Sequence, residues 1–407
     1  MKRKRMLSFC LAVSLLFTTG CWDSKEINDF AIELAWGIDT APNKNIMISA
    51  QAIIPSKISM GQGGIEGGGS KGKPFFVVTS VGMNTLDAIQ RMQTKLSRQV
   101  YRAHRRVLVI GESMARQGIK DVLDTYTRDP NLKLRTDIFI VKGGTAQDFL
   151  KQSYPLETIP GLGALGEYTQ MGTLMEMGLL NFLLAATSEG ACPTVPAIAI
   201  GMNPASQEGE NQKYPSKVDE EGFRIVGTGI FDKDLRLVGF LNVMEGRALR
   251  WVTGNLNKLT ISANIPQEEG NVSLEVNKVG SKIQPIIQGE KIKILVTLTG
   301  QGMIRENNTR LDLTQIKNIT LLQNALEQQV EQTVLGMITK VQKEYGTDIV
   351  GFSDAIRRKN LSQWKSMKNN WDMEFAEAEV SVKVNLTVRR IGVTGPSLHL
   401  SEKDIEK

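Results

Sequence analysis

Histidine and cysteine are scarce in this chain, with two and three respectively in 407 residues. A zinc site takes about four nitrogen or sulfur ligands. His104, His399 and Cys192 are scattered and make no such set. A serine triad would need one of the two histidines beside a nucleophile elbow, and Gly111-Glu-Ser113-Met-Ala115 lacks the second glycine of that motif. A phosphate loop is also missing. Gly67 and Gly72-Lys73 stand at the right spacing, but Pro74 takes the place of the magnesium-binding hydroxyl, and a strand follows where a helix N-terminus is needed. No apolar run is long enough to cross a bilayer, which takes about 20 residues. Met177 to Ala186 is about half that length and reads as a buried helix.

What is present begins at the N-terminus. Lys2, Arg3, Lys4 and Arg5 precede an apolar run, Met6 to Phe17, and then the small residues Thr18, Thr19 and Gly20. That order is an export signal. Cys21 follows directly, which is the arrangement of a bacterial lipobox. The expectation is cleavage before Cys21, a diacylglycerol on its thiol and an acyl group on its new amino terminus, because stable anchoring takes more than one chain. Trp22 either sits at the headgroup level or packs on the first domain. Without the four basic residues of the signal, the balance is 45 basic against 43 acidic side chains, so the basic character of the whole chain, +6, belongs mostly to the signal. Nucleic-acid binding, which needs a concentrated basic face, is not expected. Cys10 leaves with the signal and Cys21 is consumed by lipid. Cys192 is then alone, and no intrachain disulfide forms.

Strands and helices alternate over the first two hundred residues. Strands are predicted at 31–38, 45–54, 75–81, 106–110 and 135–141, with helices capped by Asn84 and Thr145. Residues 203–221 are polar and turn-rich and read as a linker. A hairpin across Asp232-Lys233-Asp234 and a short helix from Met244 to Val252 follow. In the last region Val380, Val382, Val384, Leu386 and Val388 alternate with polar residues, as do 292–298, which marks sheet strands with one wet face. From about Thr314 to Tyr345 a stripe of Ile316, Ile319, Leu322, Leu326, Val330, Val334, Met337 and Val341 predicts a long amphipathic helix. Asp312 or Thr314 is the expected cap. A second helix is expected from Ser353 to Met367. These patterns predict a mixed α+β chain of three domains in series after the signal of residues 1–20. They are an N-terminal mixed α/β domain over 21–205, a small middle domain over 206–265, and a C-terminal antiparallel sheet covered by long helices over 266–407.

Several blocks together resemble the Ger(x)C family, the C-subunit lipoproteins of bacterial spore nutrient-germinant receptors. They are Cys21-Trp22-Asp23, Thr85 to Ile89, Ser97 to Tyr101, His104 to Glu112, Arg128-Asp-Pro130, Leu134-Arg-Thr136 and Gly229-Ile-Phe231. Leu237 to Leu241 with Glu245, Tyr345-Gly-Thr-Asp348, Gly351-Phe352, Trp364, Trp371-Asp372 and Arg389 to Gly392 complete the set. Thr18 departs from the family's lipobox, and Leu361 stands where relatives usually carry proline. The resemblance implies three mixed domains, no catalytic activity and no cofactor. It also implies assembly with two membrane-embedded partners, an A-type subunit and a B-type subunit related to amino-acid transporters, on the outer face of the spore's inner membrane. Read from the residues themselves, Arg98, Arg102, Arg105 and Arg106 form either a solvated basic face or a contact with partners or anionic lipid, the latter together with Trp22 and the loop Gly61 to Lys73. The competing readings are a lipid-anchored cell-wall hydrolase and a solute-binding lipoprotein.

Overall fold

A computed structural model describes residues 29–397 apart from 55–72, 130–132, 155–156, 158, 173–177, 202–221, 267, 290 and 394–395. Cys21, Trp22, His399, most of the Gly61 to Lys73 loop and the expected linker lie outside the described residues. Two sheets organise the rest. The larger contains β1 (Phe30–Thr40), β2 (Ile46–Ile53), β3 (Phe75–Gly82), β4 (Gln99–Tyr101), β5 (Val107–Gly111), β6 (Asp137–Val141), β7 (Thr194–Ile200), β8 (Phe223–Phe231) and β9 (Leu237–Leu241). Their order is β3-β2-β1-β5-β6-β7-β8-β9, with β4 paired to β1. The four central strands β1, β5, β6 and β7 run parallel, and antiparallel pairs flank them. All five residues of β5 and of β6 are buried, as expected of parallel strands covered on both faces.

Helices supply the cover. On one face Leu108 and Ile110 meet α1 (Thr85–Gln93), α2 (Glu112–Gln117) and α3 (Lys120–Arg128). On the other, Val107, Val109 and Phe139 meet α4 (Ala146–Leu150) and α5 (Pro160–Gln170). Asn84 caps α1 as expected, accepting the Asp87 N–H at 3.0 Å. The buried face of α1 carries Thr85, Ala88 and Met92, while Leu86 is exposed. The helix α6 (Gly178–Ala186) buries Leu179 and Phe182 against the first face.

The hairpin expected in a separate middle domain is instead part of the large sheet: β8 pairs with β7 over seven register positions. Alternation along a strand reports which face is wet; it does not report which strand lies alongside. The helix α7 (Val243–Val252) then turns the chain into the second sheet, β10 (Leu259–Asn264), β11 (Asn271–Gln288), β12 (Lys291–Asn307) and β13 (Glu379–Arg390), in that order. The expected all-antiparallel sheet is mixed, because β13 pairs with β12 in parallel. Parallel neighbours need a crossover connection. Here it is α8 (Ile316–Lys340), α9 (Phe352–Lys359), α10 (Leu361–Met367) and α11 (Trp371–Glu377).

The long helix lies over the second sheet and buries Leu322, Leu326, Val330, Val334 and Met337. Ile316, at its exposed start, is 81% accessible and outside the core. Neither expected residue caps the helix: Gln315 is the N-cap, and Asp312 instead accepts the Thr314 N–H. Three polar side chains of α8 reach the free edge of β13. Gln323, Glu327 and Glu331 accept the N–H groups of Val388, Leu386 and Val384 at 3.3, 2.7 and 3.0 Å. Asn360 ends α9 and caps α10, accepting from Ser362 and Gln363, so the expected single helix is two. Leu361 is therefore the first residue of α10, where proline is favoured because its missing N–H has no helical partner. Asn360 is extended, the conformation required before proline. Leu361→Pro should raise stability by roughly 0.4–1 kcal/mol, read as the urea midpoint.

Candidate functional site

The later family blocks, from Leu237 to Leu241 with Glu245 and from Tyr345 to Trp371, come together at the joint between the two sheets. The end of α8 passes through one π turn, Val341–Tyr345, and stops at Gly346, whose φ of 59° is left-handed. The Tyr345 ring lies on Gly239 of β9; a Cβ added there would come within 2.3 Å of the ring. Lys340 bonds both oxygens of Glu245 at 3.0 Å. Glu245 also closes a capping box with Asn242 at the start of α7, so one carboxylate holds two helices.

Asp348 is the hub. Its side chain is 1% exposed and accepts five N–H groups. Val350, Gly351 and Phe352 donate to Oδ1, and Ser353 and the Trp371 indole donate to Oδ2. Its backbone carbonyl accepts the Cys192 N–H at 2.8 Å. Burial pushes the Asp348 carboxyl above its ordinary range, and the donors from Ser353, Phe352 and Gly351 pull it back. The helix start expected to be capped by Ser353 is thus capped by a carboxylate from the preceding loop. Gly351, at a left-handed φ of 82°, lets that loop fold back.

From the large sheet, the segment after α6 meets this hub. Trp364 donates its indole N–H to Glu189 at 2.8 Å, and Lys368 reaches the same carboxylate at 3.0 Å. These two donors hold Glu189 below its usual range. Gly190 sits directly under Ser353 and Trp364, where a Cβ would come within 2.2 Å of Ser353. Trp364, Trp371, Phe352 and Phe375 form one aromatic group. Cys192 is buried beside it, and burial pushes its thiol up to about 12. At pH 8 the thiolate fraction is then on the order of one in ten thousand, against about a quarter for an unfolded cysteine. Iodoacetamide should leave Cys192 unmodified in the folded chain at pH 8 and alkylate it after urea, as read by peptide mass.

The arginines expected to form one exposed cluster divide. Arg98 and Arg106 are exposed. Arg102 is partly buried and ion-paired with Asp129 at 2.6 Å. Arg105 is 4% exposed and cannot serve as a surface contact. It makes a two-bond ion pair with Glu33, donates to the Tyr126 hydroxyl at 2.7 Å and lies 4.3 Å from the centre of the Trp36 ring. Burial works against both charges, lowering Arg105 and raising Glu33. The Glu33 carboxylate prevails at Arg105, whose guanidinium titrates above its ordinary value. His104 faces Tyr101 with ring centres 5.4 Å apart. Among the described residues, no three His, Cys, Asp or Glu side chains gather as a metal set, and no helix is long and apolar enough to cross a membrane.

Two family models match. Residues 23–200 match the spore germination protein N-terminal domain, and residues 226–392 match the C-terminal domain described as spore germination B3/GerAC like. The chain belongs to the GerAC-type family of spore germination proteins. It is 27% identical to spore germination protein KC of Bacillus subtilis (strain 168), covering 99% of this chain and 100% of that one. It is 26% identical to spore germination protein B3 of the same organism, over 94% and 96% of the two chains. The crystal structure of the GerBC protein matches at a TM-score of 0.56 and 21% identity, over 90% of this chain and all of the other. The resemblance read from the motifs and the mixed α/β fold are thereby established. The joint was only half legible: Tyr345, Asp348, Gly351, Trp364 and Trp371 were recognisable as motif residues, but their partners Glu189 and Gly190 carried no signal in the sequence.

Proposed function

We propose that this chain is the lipid-anchored subunit of a spore nutrient-germinant receptor and that it acts by assembly, not by turnover. The observation that carries the reading is the match of both halves, residues 23–200 and 226–392, to spore germination models. The order of basic, apolar and small residues before Cys21 supports the anchor. In this reading Cys21 carries a diacylglycerol and an N-acyl group, and Trp22 lies at the headgroup level. The partners are A-type and B-type membrane subunits, and the site is the outer face of the spore's inner membrane. Arg98 and Arg106, with Arg102 beside them, face a partner or anionic lipid, and Arg105 supports them from within. With the hairpin joined to the large sheet, the proposed division is two units that meet near α7 (Val243–Val252), the large sheet before it and the second sheet after it. The joint centred on Asp348 then fixes the orientation of one half to the other, so a partner touching either half feels a single rigid surface.

The test is Cys21→Ala in spores. Fatty-acid labelling of the chain should vanish, its membrane-bound fraction should fall at least about tenfold, and the nutrient response should be lost while receptor-independent germination persists. Unchanged labelling would refute the anchor. A purified chain that supports the response by acting on peptidoglycan, with no membrane partner, would refute action by assembly.

A further inference from the structure

One end of the large sheet is basic. The register places there the start of β1, where Phe30 pairs with Gln99 of β4, and the starts of β5 and β6, which pair at Val107 and Asp137. The start of β3 lies at the same end, because Phe75 pairs with Ile53 of β2 and the neighbouring Ala52 pairs with Glu33 of β1. Just before these strands stand Lys73 for β3, Arg98 for β4, Arg106 for β5, and Lys133 and Arg135 for β6. All five are exposed, and none makes an ion pair with a described residue. They come from four separate stretches of sequence, and only the strand order gathers them. The residue before β1 is an exposed acid, Asp29. At the opposite end of the sheet, by contrast, Glu112 pairs with Arg116 and Asp87 with Arg91. Leu134, 38% exposed, stands between Lys133 and Arg135. The half-exposed rings of Phe30 and Tyr101 lie 4.8 Å apart, beside His104. Basic side chains around exposed apolar and aromatic groups suit the interface of an anionic bilayer.

We propose that this end of the large sheet lies on anionic phospholipid and sets the orientation of the chain on its membrane. The inference rests on the anchored reading above and deepens it: it chooses lipid for Arg98 and Arg106 and adds Lys73, Lys133 and Arg135. Phe30 is nine residues from Cys21, a reach of about 30 Å at full extension. Such a tether limits distance but does not choose which side of the sheet faces the bilayer. Charge makes that choice, since each basic side chain near an anionic leaflet strengthens binding about fivefold. The spread of the five favours lipid over a protein partner. From β3 to β6 there are four strand steps, about 19 Å, so the charges form a row that does not converge on one point. A row of separate cations matches many single headgroup charges better than one acidic side chain. In this orientation the parallel strands rise from the bilayer, and Met83 and Leu86, exposed at the other end, point away from it.

Fluorescence quenching on vesicles tests it. The chain is isolated from membranes, and the mass of its N-terminal peptide reports whether Cys21 is acylated, which tests the anchor separately. Ser97→Cys, beside Arg98, and Met83→Cys, at the opposite end, each take one bimane label, while the buried Cys192 takes none. The vesicles contain phosphatidylcholine and phosphatidylglycerol at about 7:3, with spin-labelled headgroups. Quenching at position 97 should exceed that at position 83 at least roughly fivefold, and the excess should fall below about twofold on pure phosphatidylcholine or in about 0.5 M salt. Arg98→Gln with Arg135→Gln should remove the excess and leave the melt unchanged. If Cys21 carries no acyl group, sedimentation with the same vesicles replaces quenching. Binding at least roughly tenfold tighter to the phosphatidylglycerol vesicles than to pure phosphatidylcholine then upholds the surface without the anchor, and equal binding overturns it. Equal quenching at the two positions, an excess of the same size on pure phosphatidylcholine, or a double variant that keeps the excess would each overturn the proposal. A double variant that keeps the excess but loses a co-purifying membrane protein would make this end a protein interface instead.

Discussion

Asp348→Asn is expected to lower folding stability by about 3 kcal/mol or more. The replacement has nearly the same shape, but an amide offers one acceptor oxygen where the carboxylate offers two. Five N–H groups converge on the carboxylate, three on one oxygen and two on the other. Whichever way the amide turns, at least two buried donors face its NH2 group, and each stranded donor costs roughly 1–3 kcal/mol. The damage is not local. The same loop holds Cys192 through the Asp348 carbonyl and Trp371 through its indole. Urea unfolding should show the loss directly, and near-ultraviolet circular dichroism should show Trp364 and Trp371 losing their fixed surroundings. In spores the variant should behave as a loss of the protein. A change below about 1 kcal/mol would mean that water meets these donors, and that the hub is less closed than its 1% exposure indicates.

The second large effect concerns the ion pair inside the first sheet. Arg105→Met should destabilise the chain by about 3–5 kcal/mol, because it leaves the Glu33 carboxylate buried and unpaired. Glu33 is 0% exposed and has no route to water. The double variant Glu33→Met with Arg105→Met should recover most of that loss, since an apolar pair of similar volume avoids the cost of burying two charges. Thermal melts of the single and double variants measure the difference. A double variant as unstable as the single would show that the contacts of Arg105 with Trp36 and Tyr126, not the charge balance, set its value. By contrast, Arg98→Glu and Arg106→Glu should leave the melt unchanged within about 0.5 kcal/mol, since both side chains are exposed.

These arginines mark where the sequence was readable and where it was not. Four basic residues within nine positions look like a surface patch. What separates Arg105 from its neighbours is Glu33, 72 residues earlier on β1, and nothing local announces that pairing. The strands β5 and β6 were legible because burial on both faces leaves a continuous apolar run. The α8 stripe was legible because its period is that of a helix. The direction of β13 was not legible. An antiparallel strand and a parallel one with one wet face carry the same alternation, and only the connection through four helices decides between them. The same holds for β8 and β9, whose alternation was plain and whose neighbour β7 was not. At the hub, the residues Asp348 and Gly351 were visible, but the cap was sought on the helix itself, at Ser353. A loop that turns back through two left-handed glycines can bring a carboxylate from outside, and spacing alone does not reveal it.

The contact between α8 and the edge of β13 has a consequence of its own. Four residues of helix advance about 6.0 Å, and two residues of strand advance about 6.6 Å. Side chains 323, 327 and 331 therefore meet strand positions 388, 386 and 384 almost in step, like the marks of a vernier scale laid against a rule. The mismatch of about 0.6 Å per step is small over three marks and grows with each further one, so the match is good only over a short reach. Within that reach it fixes where the helix can slide along the strand. It also fills hydrogen-bonding positions at which another chain's strand would otherwise attach. Strand addition along positions 384–388 of β13 is accordingly blocked, whatever the local concentration of copies around it.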